Sequence, residues 1–341
     1  MFDRTNLTQA IFAIWQAVGV CRRIQAELLP SGVAYKADRS PVTIADYCAQ
    51  AVICYTLSRA YPGIPVVAEE TSGELRRQDR TLLLQQVTRY VQTVLPEATP
   101  FQVCDWIELG NAQPAVRFWT LDPIDGTIGF LRGGQYAIAL ALIEDAHVQL
   151  GVLACPNLSP FSQAADGVPG VLFVAERGRG AVMAPLATHE ADTLCLGGLE
   201  PRLVPITVSQ QSDISIAQLV ESVEAAHTDH SAHRRLAQAL GIRQPMLRMD
   251  SQAKYGLVAC GRADAYLRLP APNAPQYQEC LWDHAAGALL VEEAGGRVSD
   301  IWGASLDFGQ GRQLSGTRGV VASNGRLHDL VLDALRTCGV A

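Results

Sequence analysis

Two aspartates three residues apart, Asp122 and Asp125, close the apolar run Phe118-Trp119-Thr120-Leu121. Pro123 fixes one backbone angle between them and Gly126 admits a positive one, so the segment has a set shape. The run reads as a buried strand that breaks at Asp122-Pro123 and turns through Asp125-Gly126-Thr127. Two carboxylates at the end of an apolar strand repel each other unless a cation sits between them. All-oxygen ligands suit a hard divalent ion, with Mg²⁺ the natural guest. An ordinary surface turn fits the same residues, because Asp-Pro and Asp-Gly are common turn pairs.

Other acids stand in comparable places. Asp46 falls three residues after Thr43, close to the pattern of a capping box, and a helix-capping acid accounts for it equally well. Glu69 and Glu70 terminate the short apolar strand 64–68, as a solvated strand end would. Asp283 begins an apolar helix and by itself reads as a cap. Lys254 fits a solvated helix face, and Arg268 a strand cation paired with Asp264 or Glu279. His227, His230 and His233 tempt a zinc reading, but steps of three on a helix drift by about 60°, so the rings fan out.

The elements that must position these groups alternate along the chain. Helices are expected over residues 3–29, 44–57 and 82–94, and strands over 64–68, 118–121, 135–144, 148–155, 171–175 and 180–184. A stretch without periodicity, 185–204, marks a boundary between an α+β part (1–200) and an α/β part (201–341). In the second part helices are expected over 216–226, 231–240, 252–260, 282–294 and 326–337. Strands are expected over 246–249, 263–269, 297–299 and 319–323, with a Pro-rich loop at 270–276. This alternation predicts a layered α/β protein.

Composition narrows the class. The 341 residues are 48% apolar and 18% charged, with net charge −7. No basic block is present, which argues against nucleic acid as a partner. No apolar run reaches the roughly 18 residues of a membrane span, and the N-terminus reads as a helix rather than a signal peptide. Nine cysteines, an odd number with no CxxC pair, sit mostly in apolar runs and read as reduced cytosolic thiols, without zinc or disulfides.

Three motifs, VAEE (67–70), LDPIDGT (121–127) and WDHAAG (282–287), occur in an order and spacing that resembles the lithium-sensitive, Mg²⁺-dependent phosphatases of the inositol monophosphatase superfamily. Within it, KADRSPVTIAD (36–46), GFLRGGQYAIALALI (129–143), MDSQAKYGLVACGRADAYLRLP (249–270) and EEAGG (292–296) resemble the 3'(2'),5'-bisphosphate nucleotidase branch. The likeness covers nearly the whole chain. It implies an α/β/α/β/α sandwich of the inositol monophosphatase and sugar phosphatase type. It also implies two Mg²⁺, one held by Glu69, Asp122 and the Ile124 carbonyl, the other by Asp122, Asp125 and Asp283. A third, weaker ion is implied at Glu69. Asp46 and Thr127 match the pair that activates the attacking water. His227, Ser251, Lys254 and Arg268 match residues that hold adenosine and its 5'-phosphate.

The activity so implied is release of the 3'-phosphate from 3'-phosphoadenosine 5'-phosphate to give AMP, with the sulfated nucleotide as a second substrate and a place in sulfate assimilation. Inhibition by Li⁺ or Na⁺, a cytoplasmic location and a monomer go with it. Hydrolysis of inositol phosphates and a non-catalytic nucleotide sensor are the alternatives. Two departures from the branch stand out: Ile128 occupies a position that is often Lys, and the loop between Arg268 and Asp283 is longer.

Overall fold

The computed structural model describes residues 4–28, 33–35, 41–159, 170–186, 203–224, 228–270 and 277–340. The chain opens with helix α1 (Arg4–Leu28), a short hairpin β1 (Val33–Tyr35) and β2 (Pro41–Thr43), and helix α2 (Ile44–Ala60). Strand β3 (Val66–Ala68) and helices α3 (Thr81–Val91) and α4 (Pro100–Glu108) follow. Strands β4 (Arg117–Asp125), β5 (Ala137–Glu144), β6 (His147–Cys155), β7 (Val171–Glu176), β8 (Gly180–Pro185) and β9 (Val204–Ile206) complete a seven-stranded sheet in the order β3 to β9. The short helix α5 (Thr127–Leu131) separates β4 from β5.

The second sheet has five strands, ordered β11-β10-β12-β14-β13. They are β10 (Leu219–Glu221), β11 (Leu247–Arg248), β12 (Ala265–Arg268), β13 (Arg297–Ser299) and β14 (Val320–Ser323). Its helices are α6 (His230–Ala239), α7 (Ala253–Ala259), α8 (Ala285–Glu293) and α9 (His328–Thr337). The layers run helix, sheet, helix, sheet, helix, as expected.

Side-chain alternation explains the stacking. On β5, Ile138, Leu140 and Leu142 pack with α1 and α2, while Ala137, Ala139 and Ala141 face α7 and α8. Period-two alternation sets large side chains on one face and, up to Ala141, alanines on the other. The small face lets α8 lie close between the sheets. At Gly287 on α8, a Cβ would come within 2.3 Å of the Tyr255 ring, so only glycine fits there. The outer face of the small sheet packs Leu219, Ala265, Leu267 and Val321 against α6 and α9.

Several expected elements differ. The strand at 118–121 does not break at Asp122-Pro123; it continues to Asp125, with a register shift between Asp122 and Asp125. Residues 216–224, the described part of the helix expected over 216–226, are not an α-helix. They carry strand β10, buried on both faces and only three residues long, too short for its period to be read. The helix expected from 282 begins at Ala285, after a 3₁₀ turn over Leu281–Asp283. Helix α4 and the β1–β2 hairpin carry too few periodic residues to be read from sequence.

Candidate active site

The shift in β4 builds the acidic side of the site. Asp122 pairs with Ala139 and Asp125 with Ala137, so three steps on one strand match two on the other. That extra residue is a bulge, and it re-aims side chains that simple alternation would send to opposite faces. Both aspartates therefore line one cleft of about 490 Å³. Asp122 Oδ1 accepts the Ile124 N–H at 3.1 Å, and Asp125 Oδ2 accepts the Gln252 N–H at 2.6 Å. Gly126 follows at φ 86°, with Ser251 so near that an added Cβ would meet it at 3.1 Å.

Thr127 starts α5, and its hydroxyl has two acceptors, the Ile124 carbonyl at 3.2 Å and Asp46 Oδ1 at 3.4 Å. Asp46 divides its oxygens. Oδ2 takes the N–H (2.8 Å) and hydroxyl (2.5 Å) of Thr43, completing a capping box on α2, while Oδ1 faces Thr127. The capping reading and the Thr127 pairing thus coexist in one side chain, enclosed at 1% exposure.

Glu69 and Asp283 come from opposite halves. Glu69 follows β3, whose end is clamped by Gln50 of α2: its amide donates to the Glu70 carbonyl (2.6 Å) and accepts the Glu70 N–H (2.9 Å). Asp283 ends the 3₁₀ turn before α8. Glu69, Asp122, Ile124, Asp125, Thr127 and Asp283 all line the cleft. Burial raises the Asp122 carboxyl well above the usual range, and Glu69, Asp125, Asp283 and Asp46 add to the rise. Burial likewise pushes Asp283 up to about 8, against the pull of Arg268. Mutual repulsion of this kind marks a place fit for a cation, and four carboxylates with a carbonyl are the donor set of a hard divalent ion.

A tighter trio, Glu279, Asp283 and His284, has its ligand atoms within 4.8 Å of one another, closer than the cleft acids gather among the described residues. Its groups are already committed to one another. Glu279 accepts from Arg268 (2.9 Å) and lies 3.1 Å from His284 Nε2, and His284 Nδ1 lies 2.7 Å from the Tyr255 hydroxyl. Burial would raise Glu279, yet Arg268 and His284 hold it down at about 2. We read that trio as support for Asp283, not as a metal centre.

Ser251, Lys254 and Arg268 line the same cleft and make up its basic wall. Ser251 has φ 67°, and its hydroxyl accepts the Ala253 N–H at 3.2 Å. Lys254 Nζ donates to the carbonyls of Ser251 (2.7 Å) and Met249 (3.2 Å), 5.1 Å from the Tyr266 ring centre. Burial lowers it to about 8, opposed by Asp125. Arg268 pairs with Glu279, one of the two expected partners, and its Nη2 lies 3.9 Å from Asp283. His227 lies outside the described residues. His230 Nε2 is 3.0 Å from the Ser222 carbonyl, and the buried His233 is 2.8 Å from Thr228 Oγ1; neither lines the cleft.

Sequence reasoning missed Gln50 and Gln252. Gln252 ties α7 to α8 by donating to the Trp282 carbonyl (3.0 Å) and accepting the Gly287 N–H (3.3 Å). The available signal was an amide inside an apolar run, since a buried glutamine needs partners.

Comparison with known proteins shows the family. The model of the inositol monophosphatase family matches residues 3–339. The Thermotoga maritima IMPase superposes with a TM-score of 0.64 at 20% identity, covering 99% of this chain and 98% of that one. The chain belongs to the inositol monophosphatase family. A 3'(2'),5'-bisphosphate nucleotidase of Emericella nidulans is 41% identical over 89% of this chain and 90% of its own length. One of Oryza sativa is 39% identical over 97% and 93%. The branch resemblance read from the motifs therefore stands.

Proposed function

We propose that the protein removes the 3'-phosphate of 3'-phosphoadenosine 5'-phosphate, giving AMP and phosphate, with Mg²⁺. The observation that carries this reading is one cleft lined both by the acids Glu69, Asp122, Asp125 and Asp283 and by Ser251, Lys254 and Arg268. The names of the relatives at 39–41% identity support the choice of substrate. Glu69, Asp122 and the Ile124 carbonyl would hold one Mg²⁺, and Asp122, Asp125 and Asp283 a second, with Glu69 also reaching a third. When bound, the metals supply counter-charge for the phosphate and a more acidic water.

The chain's own groups do the rest. Thr127 Oγ1 accepts a hydrogen bond from the attacking water and passes a proton to Asp46, 3.4 Å away. Lys254 and Arg268 meet the phosphate that stays, and Ser251 the nucleoside. The sulfated nucleotide fits the same arrangement, since it keeps the 3'-phosphate. A role in sulfate assimilation, sensitivity to Li⁺ and Na⁺, a cytoplasmic site of action and a monomer belong to this reading. Among the described residues no helix is long and apolar enough to cross a membrane.

The test is phosphate release from the bisphosphate nucleotide and from inositol 1,4-bisphosphate, each with and without Mg²⁺. Mg²⁺-dependent preference for the nucleotide is expected. Preference for the inositol phosphate would overturn the substrate, and tight nucleotide binding without turnover would make the chain a sensor.

A further inference from the structure

Glu69 and Asp283 are far apart in sequence and belong to different layers, so only non-covalent contacts set their separation. One side chain touches the residue just before each. Arg312, in the loop between β13 and β14, donates Nη2 to the carbonyl of Ala68 at 2.5 Å and Nη1 to the carbonyl of Ala112 at 3.2 Å. Its guanidinium also lies 4.9 Å from the ring centre of Trp282. The backbone of the same loop is stitched to the turn that carries Asp283. The Leu281 N–H donates to the Arg312 carbonyl (3.1 Å) and the Leu314 N–H to the Glu279 carbonyl (2.8 Å). Cys280 and Gln313 form an antiparallel bridge.

The chemistry suits a spacer. β3 is the edge strand of its sheet, and Ala68 and Ala112 are the carbonyls where the 110–112 segment lies against it. A planar fork satisfies two carbonyls at a fixed spacing, whereas an ammonium on a flexible stem does not. Stacking on Trp282 fixes the third point. We propose that Arg312 is a positioning residue that holds the end of β3 and the Leu281–Asp283 turn at a set separation, and so shapes the cation site between Glu69 and Asp283. This rests on the reading of the cleft given above.

Arg312→Met keeps the stem and removes the fork; Arg312→Lys keeps the charge. Calorimetric titration with Mn²⁺ alone should show the affinity of Arg312→Met reduced about 10–100-fold, the range for groups that support metal ligands, with Arg312→Lys in between. Methylguanidinium should restore part of it. Turnover should fall while the KM for the nucleotide holds. In the metal-free protein, amide exchange should rise at residues 66–70 and 280–284 but not in β6–β8. Unchanged Mn²⁺ affinity, or exchange rising equally across the seven-stranded sheet, would overturn the proposal. Should the wild type itself bind no Mn²⁺, the metal reading of the cleft fails on its own, and the exchange pattern alone decides what Arg312 does.

Discussion

The two walls of the cleft solve opposite electrostatic problems. On the acidic wall, like charges face one another, and burial together with that repulsion lifts Asp122 and Asp283 out of the ordinary carboxylate range. On the basic wall, both cations are already engaged, Lys254 with two carbonyls and Arg268 with Glu279. The acidic wall is poised to attract charge; the basic wall is poised to orient it. A pre-neutralised Arg268 adds little long-range pull but is held in one place, which is what a fixed phosphate needs. Breaking each wall should therefore produce different kinetic signatures.

The largest effect belongs to Asp122, which would ligate both metals. Asp122→Asn should lower turnover by about 10³-fold or more, since metal stabilisation of the transition state is worth several kcal/mol. Removing one repelling charge should also raise the melting temperature of the metal-free protein. A mutant that keeps a tenth of wild-type turnover would mean that Asp122 is no shared ligand. Chelation of the wild type should give the same loss, reversed by added Mg²⁺.

Next come Thr127→Val and Asp46→Asn. Each should cost about 10²–10⁴-fold in kcat, the span for positioned proton transfer, with KM little changed. They differ in stability. Asp46→Asn also weakens the capping box on α2, a loss of about 1 kcal/mol, whereas Thr127→Val leaves the box intact. Thermal melts beside steady-state kinetics separate the two roles of Asp46.

Glu279→Gln asks whether the walls are independent. Arg268 Nη2 now lies 2.8 Å from Glu279 and 3.9 Å from Asp283. Without the Glu279 charge, Asp283 becomes its nearest carboxylate, and the walls should close on each other. The nucleotide KM should rise about tenfold, with the Mg²⁺ requirement shifting beside it, because unpairing a buried charge costs about 3–5 kcal/mol shared between binding and folding. If KM moves and the Mg²⁺ requirement does not, the walls act separately. The same residue sets an acid limit. Its carboxyl is held at about 2 against an ordinary 4.5, so its contribution to stability is complete above pH 4.5 and lost as the pH falls toward 2. In Glu279→Gln, urea titrations across that window should show a shallower decline.

These contrasts also show what the sequence could carry. Acids at the ends of apolar runs mark Asp122, Asp125, Glu69 and Asp283, because a carboxylate is rare where a chain is otherwise buried. Local chemistry likewise exposes the Thr43–Asp46 cap. The bulge in β4 stayed hidden, since pairing register depends on the partner strand and not on the strand itself. So did strand β10, whose three residues are too few to show a period. Gln50 and Arg312 act on backbone atoms remote in sequence, and no local pattern announces a carbonyl that needs a donor. Arg268 was legible as a cation with Glu279 in prospect, but the relay through His284 to Tyr255 required the fold.

The smallest predicted effect bears most directly on the contrast. Ile128 lines the cleft beside Thr127. Ile128→Lys would add a cation with no dedicated partner, unlike Lys254, held by two carbonyls, and Arg268, held by Glu279. Net of solvation, an exposed charge of this kind contributes about 1 kcal/mol or less toward an anion, a few-fold in affinity, and salt screens it over about 10 Å at 0.1 M. The nucleotide KM should fall two- to fivefold at low ionic strength, and the gain should vanish at high salt. Turnover should stay put, since Ile128 is not among the residues assigned to the metals or the proton transfer. If the gain instead survives high salt, the lysine has found a fixed partner, and orientation rather than attraction governs that wall as well.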